Sequence, residues 1–463
     1  MNSVFVKDKA FYKQLLILAL PVVLQSVINI SVNLMDTVML GSYGEIQISA
    51  SSLANDFIHI FNFLTLGVGG GTAVLTAQYW GRGDIKSLKT VMALMLRIIF
   101  LLATVFSLVT GFFGKQILAI YTKDQYVIEK GFSYFMIMIP TYFLTGLTVS
   151  LTGVLRSVRQ VKLPLLIVCV SFFVNIFFNW VFIFGHLGAP ELQIVGAALG
   201  TLIARVVETA IMLVYVLKID KKICFRAREV FSSAKGYYKT YAKYCLPVVG
   251  SDMLFGFGNT MITIIIGHTS TEFVAANAIV SSVTRLTTVF ANGAANAGGI
   301  MTGNTLGAGD VDRAYRGAVT LTAMAVALGV MAGGIVVLLC PWIISLYNVS
   351  DLTRDIATQL IRAVGITTIF MAIENSLTKG ILRGGGDTRF LLVADALFLW
   401  VVSIPLGALV ALVWKAPPFW IYVTLRVDWI IKSVWCLFRL KSKKWIHVVE
   451  SPEGEKLPQG EGA

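Results

Sequence analysis

The sequence predicts an all-α membrane protein with twelve transmembrane helices in two pseudo-symmetric six-helix bundles, built as parallel repeats. Three observations predict it: the composition, the length of the apolar runs and an internal duplication. Of 463 residues, 56% are apolar and only 14% charged, with mean hydropathy +0.78. A soluble chain carries about a quarter charged residues, so no ordinary water-facing surface can be built from this inventory. The same shortage of charge excludes a disordered chain.

A spanning helix needs about 20 mostly apolar residues. With that ruler, spans fall at 14–40, 50–78, 89–113, 131–154, 163–187, 194–217, 242–267, 276–304, 315–346, 356–381, 388–412 and 418–438. The first follows Lys7, Lys9 and Lys13 and runs too long for a signal-peptide core, with no small-residue cleavage site behind it. It reads as a retained helix. The implied organisation is a first lobe at 1–217, a basic linker at 218–243, a second lobe at 244–440 and a polar tail at 441–463.

The duplication is visible residue by residue. Leu20-Pro21-Val22-Val23 returns as Leu246-Pro247-Val248-Val249, 226 positions on. Asn33, Met35, Thr37 and Gly41 match Asn259, Met261, Thr263 and Gly267 at the same offset. Gly81-Arg82-Gly83-Asp84 matches Gly307-Ala308-Gly309-Asp310, and Gly153-Val154-Leu155-Arg156 matches Gly380-Ile381-Leu382-Arg383 after one residue of drift. Each repeat holds an even number of spans, so both insert the same way up, related by a pseudo-two-fold along the membrane normal. That arrangement places a path between two bundles and points to a carrier.

Charge sets the orientation. The net charge of +13 comes from short basic clusters between apolar runs, a membrane pattern and not a nucleic-acid one. Arg82, Lys86 and Lys89, then Arg156, Arg159 and Lys162, then the linker run from Lys218 to Lys243 all lie on the side of the N-terminus. The opposite loops offer only Lys115, Lys123, Lys130, Arg354 and Lys415. The bias places both termini in the cytoplasm.

Ionisable groups inside hydrocarbon are costly, so each is a functional candidate. Asp36 stands on the outer part of span 1, and its repeat equivalent is Ile262, so the carboxylate belongs to one half alone. Asn175 and Asn179 share a helix face at i, i+4 on span 5, and Thr201 lies on span 6. All four fall at similar depth and can offer oxygen ligands, suited to a proton or a hard cation such as Na⁺. Asp56 on span 2 lies at comparable depth and can couple to Asp36 or bond to Asn55. Arg205 and Glu208, three apart on span 6, read as a pair, and Asp252 and Arg285 can pair across spans 7 and 8. Arg362, Glu374 and Asp395 fall nearer helix ends, where snorkelling explains them.

Other features read as structure. Gly67-Val68-Gly69-Gly70-Gly71 lies inside an apolar span without a following Lys-Ser/Thr, which argues for close helix contact and against a phosphate loop. Gly83-Asp84 and Gly309-Asp310 read as tight turns with Asp as the next N-cap, and Gly384-Gly385-Gly386-Asp387 as a third. Pro21 and Pro247 mark kinks. The five cysteines and four histidines form no disulfide framework or metal spacing.

Taken together, the Leu-Pro openings of spans 1 and 7, the Gly-x-Gly-Asp turns and the Gly-x-Leu-Arg ends of spans 4 and 10 resemble the multidrug and toxic compound extrusion (MATE) family, bacterial type, from about Leu15 to Leu440. The resemblance implies two six-helix lobes and export of amphipathic, often cationic compounds against an inward H⁺ or Na⁺ gradient. It implies an acidic residue in helix 1, matched by Asp36, polar partners in helix 5, matched by Asn175 and Asn179, and a Thr in helix 6, matched by Thr201. Some members carry Asp where this chain has Asn179, so a formal charge is missing here. Some relatives use acids in helices 7 and 10, and Asp252 and Glu374 lie about a turn from those positions.

The function expected is an antiporter for amphipathic organic cations in a bacterial cytoplasmic membrane, monomeric, using no cofactor beyond the coupling ion. The competing reading is a flippase for lipid-linked saccharides of the same superfamily, which would prefer a cavity lined by unpaired Arg205, Arg285 and Arg362. A membrane enzyme would want a clustered nucleophile, metal site or acid/base pair, and none is present. A nucleic-acid partner is not expected.

Overall fold

The structure is a computed structural model that describes residues 5–347 and 349–450. Among the described residues, ten helices are long and apolar enough to cross a membrane: α1 (Lys9–Gly41), α2 (Glu45–Arg82), α3 (Ile85–Tyr121), α4 (Gln125–Ser157), α5 (Lys162–Phe184), α7 (Tyr237–Gly267), α8 (Thr271–Gly307), α9 (Val311–Leu338), α10 (Asp351–Leu382) and α11 (Thr388–Val413). Helix α6 (Ile194–Val214) and helix α12, in two pieces at Pro418–Leu425 and Val427–Lys441, complete the twelve. Helix α2 has 38 residues, about 57 Å at 1.5 Å per residue. That exceeds a hydrocarbon core of about 30 Å, so the long helices tilt or project into water.

Short capped turns set the helix order. Gly83 takes φ +80° and the Asp84 carboxylate accepts from the Ser87 amide at 2.9 Å. Gly309 repeats this at φ +84°, with Asp310 accepting from the Arg313 amide at 2.9 Å. Only a residue without Cβ enters that backbone region at low cost, and the aspartate satisfies an orphan amide of the next helix. These two turns are as expected; at the third, Gly386 takes φ +85° but Asp387 makes no cap bond and accepts from Arg439 instead.

Two expected spans are interrupted. The ninth stops at Leu338, and Cys340–Ser345 forms a separate short helix with Pro341 in its first turn. Proline cannot donate to the preceding turn, so the single long helix expected over 315–346 breaks there. The twelfth breaks at Arg426, whose backbone (φ −121°, ψ 16°) leaves the helical region. The Arg426 Nη1 donates to Asn259 Oδ1 at 2.8 Å and the guanidinium stacks over Trp429 at 4.8 Å. A side-chain anchor that apolarity does not reveal thus fixes the break.

Helices α1–α6 and α7–α12 form the two bundles. They meet through α2 against α7 and α8 and through α1 against α8. The contacts obey the internal symmetry. A Cβ on Gly81 would lie 2.1 Å from the Asn304 carbonyl oxygen, and one on Gly307 would lie 2.0 Å from that of Gln78. Gly81 and Gly307 are repeat equivalents, as are Gln78 and Asn304, so each contact is the other turned about the two-fold. The glycines of α2 do the close contact expected of them: a Cβ on Gly67 or Gly71 would come within 2.7 Å of the α7 backbone at Val249 or Cys245. The bundles are therefore closed on the face that carries the Gly-Asp turns and part toward the opposite face.

The segment after α12 corrects one expectation. Lys441–Glu450 does not behave as a polar tail; the rest of the expected tail, 451–463, lies outside the described residues. Trp445 is fully buried against Gly385, with its indole nitrogen donating to the Leu440 carbonyl at 3.2 Å. The His447 amide donates to the Gly385 carbonyl at 2.8 Å. From the other bundle, Gln78 Nε2 donates to the His447 carbonyl at 3.1 Å, its Oε1 accepts from the Val449 amide at 2.8 Å, and Arg82 donates to the Val449 carbonyl at 2.5 Å. This strap ties the bundles together on their closed face.

Candidate functional site

The outer third of the first bundle brings together the four residues singled out in sequence. Asn179 Nδ2 donates to Asp36 Oδ1 at 2.5 Å and to Asn175 Oδ1 at 3.3 Å, and Asn175 Nδ2 donates to Thr201 Oγ1 at 3.4 Å. Helix α5 supplies both asparagines, and α1 and α6 one residue each. Close approach of the last two makes this geometry possible: a Cβ on Gly200, beside Thr201, would sit 2.2 Å from Asn179 Oδ1. Both amides are buried. Asn179 Oδ1 has no hydrogen-bond partner, so a buried acceptor stands free one residue from the carboxylate. No lysine or arginine forms an ion pair with Asp36 among the described residues. A carboxylate held by neutral donors, with spare oxygens around it, is suited to take a cation from solution.

Asp56 does not join this group. It lies on α2 three residues before His59, and the two lie within charge–charge range. Asn55 bonds elsewhere, accepting from the Tyr134 hydroxyl at 3.4 Å. Arg205 and Glu208 form the expected pair at 2.6 Å.

The second bundle corrects three readings. Asp252 pairs with Arg383, at 2.7 and 3.3 Å, and not with Arg285. Glu374 and Asp395 are buried and do not snorkel. Both reach the fully buried Lys432, at 3.5 and 3.0 Å, and Asp428 joins them at 3.1 Å. Ser251 donates to Asp395 as well, and Lys379 lies over the Phe255 ring at 4.4 Å. Asp252 and Glu374 therefore belong to an internal charge network and not to the main cavity. Lys432 and Asp428 were missed in sequence. Their i, i+4 spacing inside an apolar run was the available signal.

A cavity of about 450 Å³ lies in the second bundle at its border with α1. Ile30 of α1 forms one wall, and α7, α8 and α12 form the rest, with Arg285, Asn259, Ser281 and Arg426 among the polar groups. Arg362 does not line it.

A duplicated membrane-crossing bundle with a cavity beside the seam of its halves and a carboxylate free of any ion pair in one of them, among the described residues, points to a membrane carrier. Comparison with known proteins makes this specific. The family model MatE matches residues 21–181 and 247–409, one match per repeat, and the chain belongs to that family. The resemblance read from the Leu-Pro and Gly-Asp motifs is borne out. Among similar proteins, the uncharacterized transporter YisQ of Bacillus subtilis is 21% identical over 95% of this chain and 96% of its own length. A probable multidrug resistance protein NorM of Thermotoga maritima is 21% identical over 94% of this chain and 93% of its own. A crystal structure of MATE in the bent conformation superimposes with TM-score 0.85 at 16% identity, covering 94% of this chain and 96% of that one. The protein is thus a multi-pass membrane transporter with the MATE fold.

Proposed function

We propose that the protein is an alternating-access antiporter that exports amphipathic organic compounds in exchange for H⁺ or Na⁺, with Asp36 as the exchange site. The observation that carries this reading is the Asp36–Asn179 contact at 2.5 Å within a three-helix group where, among the described residues, no cation is ion-paired to the carboxylate. Asp36 binds the incoming ion, while Asn179, Asn175 and Thr201 orient the carboxylate and supply further oxygens. Occupancy by the ion opposes occupancy by cargo, and the two effects on affinity are equal by linkage. In this reading the closed, strapped face is cytoplasmic, both termini lie there by the positive-inside rule, and the protein works as a monomer in a bacterial inner membrane. The relatives described as multidrug resistance proteins support the choice of cargo class.

The flippase reading required three free arginines at the cavity. Arg205 is paired and Arg362 lies elsewhere, which leaves Arg285. The test is ion-driven dye efflux from proteoliposomes, with Na⁺ and pH varied independently, for the natural protein and Asp36→Asn. Coupled efflux falls at least tenfold in the variant; unchanged efflux removes Asp36 from the mechanism.

A further inference from the structure

We propose that the cavity at the border of the second bundle with α1 binds an amphiphile bearing an anionic group, a carboxylate, sulfonate or phosphate, on Arg285. The inference rests on the export reading and names the chemistry of its cargo, which differs from the cations expected from the family resemblance.

The lining carries the argument. Its polar groups are amides, hydroxyls and two guanidiniums, and no carboxylate is among them. The two arginines differ. Arg426 is committed, bonded to Asn259 at 2.8 Å and stacked on Trp429. Arg285 has no hydrogen-bond or ion-pair partner among the described residues. A guanidinium stays charged at every working pH and offers five donors in a fork matched to carboxylate and phosphate oxygens.

Depth makes that free charge significant. Arg285 lies fourteen residues into the 37-residue α8, about 21 Å along the helix axis, well inside the helix and not at its end. An arginine at such depth is costly unless it pairs or faces a cavity. Here it faces one.

The internal symmetry adds an independent observation. The repeat equivalent of Arg285, 226 positions earlier, is His59, and it lies fourteen residues into α2. The two lie within charge–charge range of each other, with Asp56 beside His59. The two-fold therefore places a basic side chain at the same helical depth in each bundle, though of the two only Arg285 lines the cavity. A cationic compound entering there meets Arg285 unneutralised, whereas an anion supplies the partner the protein lacks. Ile30, Ile262, Ile266 and Leu425 give the same cavity an apolar wall, and about 450 Å³ is the size of a site for a drug-like molecule.

The experiment uses the full chain in lipid nanodiscs and two dyes on one xanthene scaffold, anionic fluorescein and cationic rhodamine 123, with binding read by fluorescence polarisation. Fluorescein binds the tighter of the two. Arg285→Gln weakens it about tenfold or more, the loss expected for a charge-assisted hydrogen bond, Arg285→Lys keeps part of it, and rhodamine 123 binding does not fall. Tighter rhodamine 123 binding, no fluorescein binding, or fluorescein affinity unchanged in Arg285→Gln each overturns the proposal. If Arg285→Gln fails to fold by gel filtration, the fluorescein-to-rhodamine ratio in the natural protein and in Arg285→Lys still decides. Farnesyl pyrophosphate as competitor separates two sources of the anion: displacement at lower concentration than unlabelled fluorescein indicates a lipid-borne group, and the reverse order a soluble one. Binding that survives Asp36→Asn while coupled efflux is lost leaves this proposal standing and locates the failure or success of antiport separately.

Discussion

The two bundles carry the same repeat, yet the carboxylates at their centres are treated differently. The first holds one carboxylate, Asp36, bonded to a neutral amide in a chain of amides and a hydroxyl, beside a separate Arg205–Glu208 pair. The second holds Asp252, Glu374, Asp395 and Asp428 against Lys379, Arg383 and Lys432, so most of its negative charge meets a built-in cation. A carboxylate that has an internal lysine has little use for an ion from solution. One without it has a vacancy for one. The comparison shows how one helix skeleton can carry a rigid half and an exchanging half, with the difference set by where a basic side chain was placed.

The largest expected effect tests the rigid half. Lys432→Met strands three carboxylates in the interior, and breaking a buried ion pair by removing one partner costs about 3–5 kcal/mol. The melting temperature in detergent therefore drops sharply, whereas Asp36→Asn leaves it nearly unchanged because no ion pair is lost. Equal melting temperatures for the two variants would erase the contrast between the bundles.

A smaller effect tests what joins them. Trp445→Ala removes a fully buried ring from the strap, and large-to-small changes of this kind cost about 3–5 kcal/mol in a core. The strap lies outside the helices, so the loss is local: hydrogen exchange at 445–450 accelerates while α7–α11 stay protected. Acceleration spread evenly over both bundles would show that the strap is integral to the fold.

The smallest effect is one of pH and concerns Asp387, at the turn before α11. Burial raises its pKa, but the nearby His447 ring and the Arg439 hydrogen bonds outweigh it and hold the carboxyl below its ordinary 3.8. The Arg439 contact is 2.6 Å and the His447 contact 3.6 Å. A depressed folded-state pKa contributes stability that is complete above the unfolded value and vanishes as pH falls through the folded one. Asp387→Asn should thus be less stable than the natural protein above pH 3.8 and converge with it in stronger acid, as acid-unfolding curves would register. A constant gap down to the lowest pH would assign the loss to something other than ionisation.

Much of this was legible in the residues. Asp36, Asn175, Asn179 and Thr201 could be grouped because helical rise converts sequence distance into depth, and residues at one depth on neighbouring helices can meet. The turns were legible because Gly-Asp encodes its own backbone geometry. Arg285 was misassigned to Asp252 because pairing across helices depends on rotation about each helix axis, which one sequence does not contain. Glu374 and Asp395 were misread for the same reason: position along a helix was known, but not that Lys432 of α12 faces them. The strap was read as polar tail because lysines flank Trp445, and composition does not tell a buried tryptophan from a solvated one.

Local rules therefore settled in sequence how many times the chain crosses the membrane and where it turns, since burying a backbone in lipid and capping a helix are decided within a few neighbouring residues. Which charges found partners, and which guanidinium was left facing an open space, depended on how twelve helices rotate and tilt against one another. That is set by contacts between residues hundreds of positions apart, and only the assembled fold could decide it.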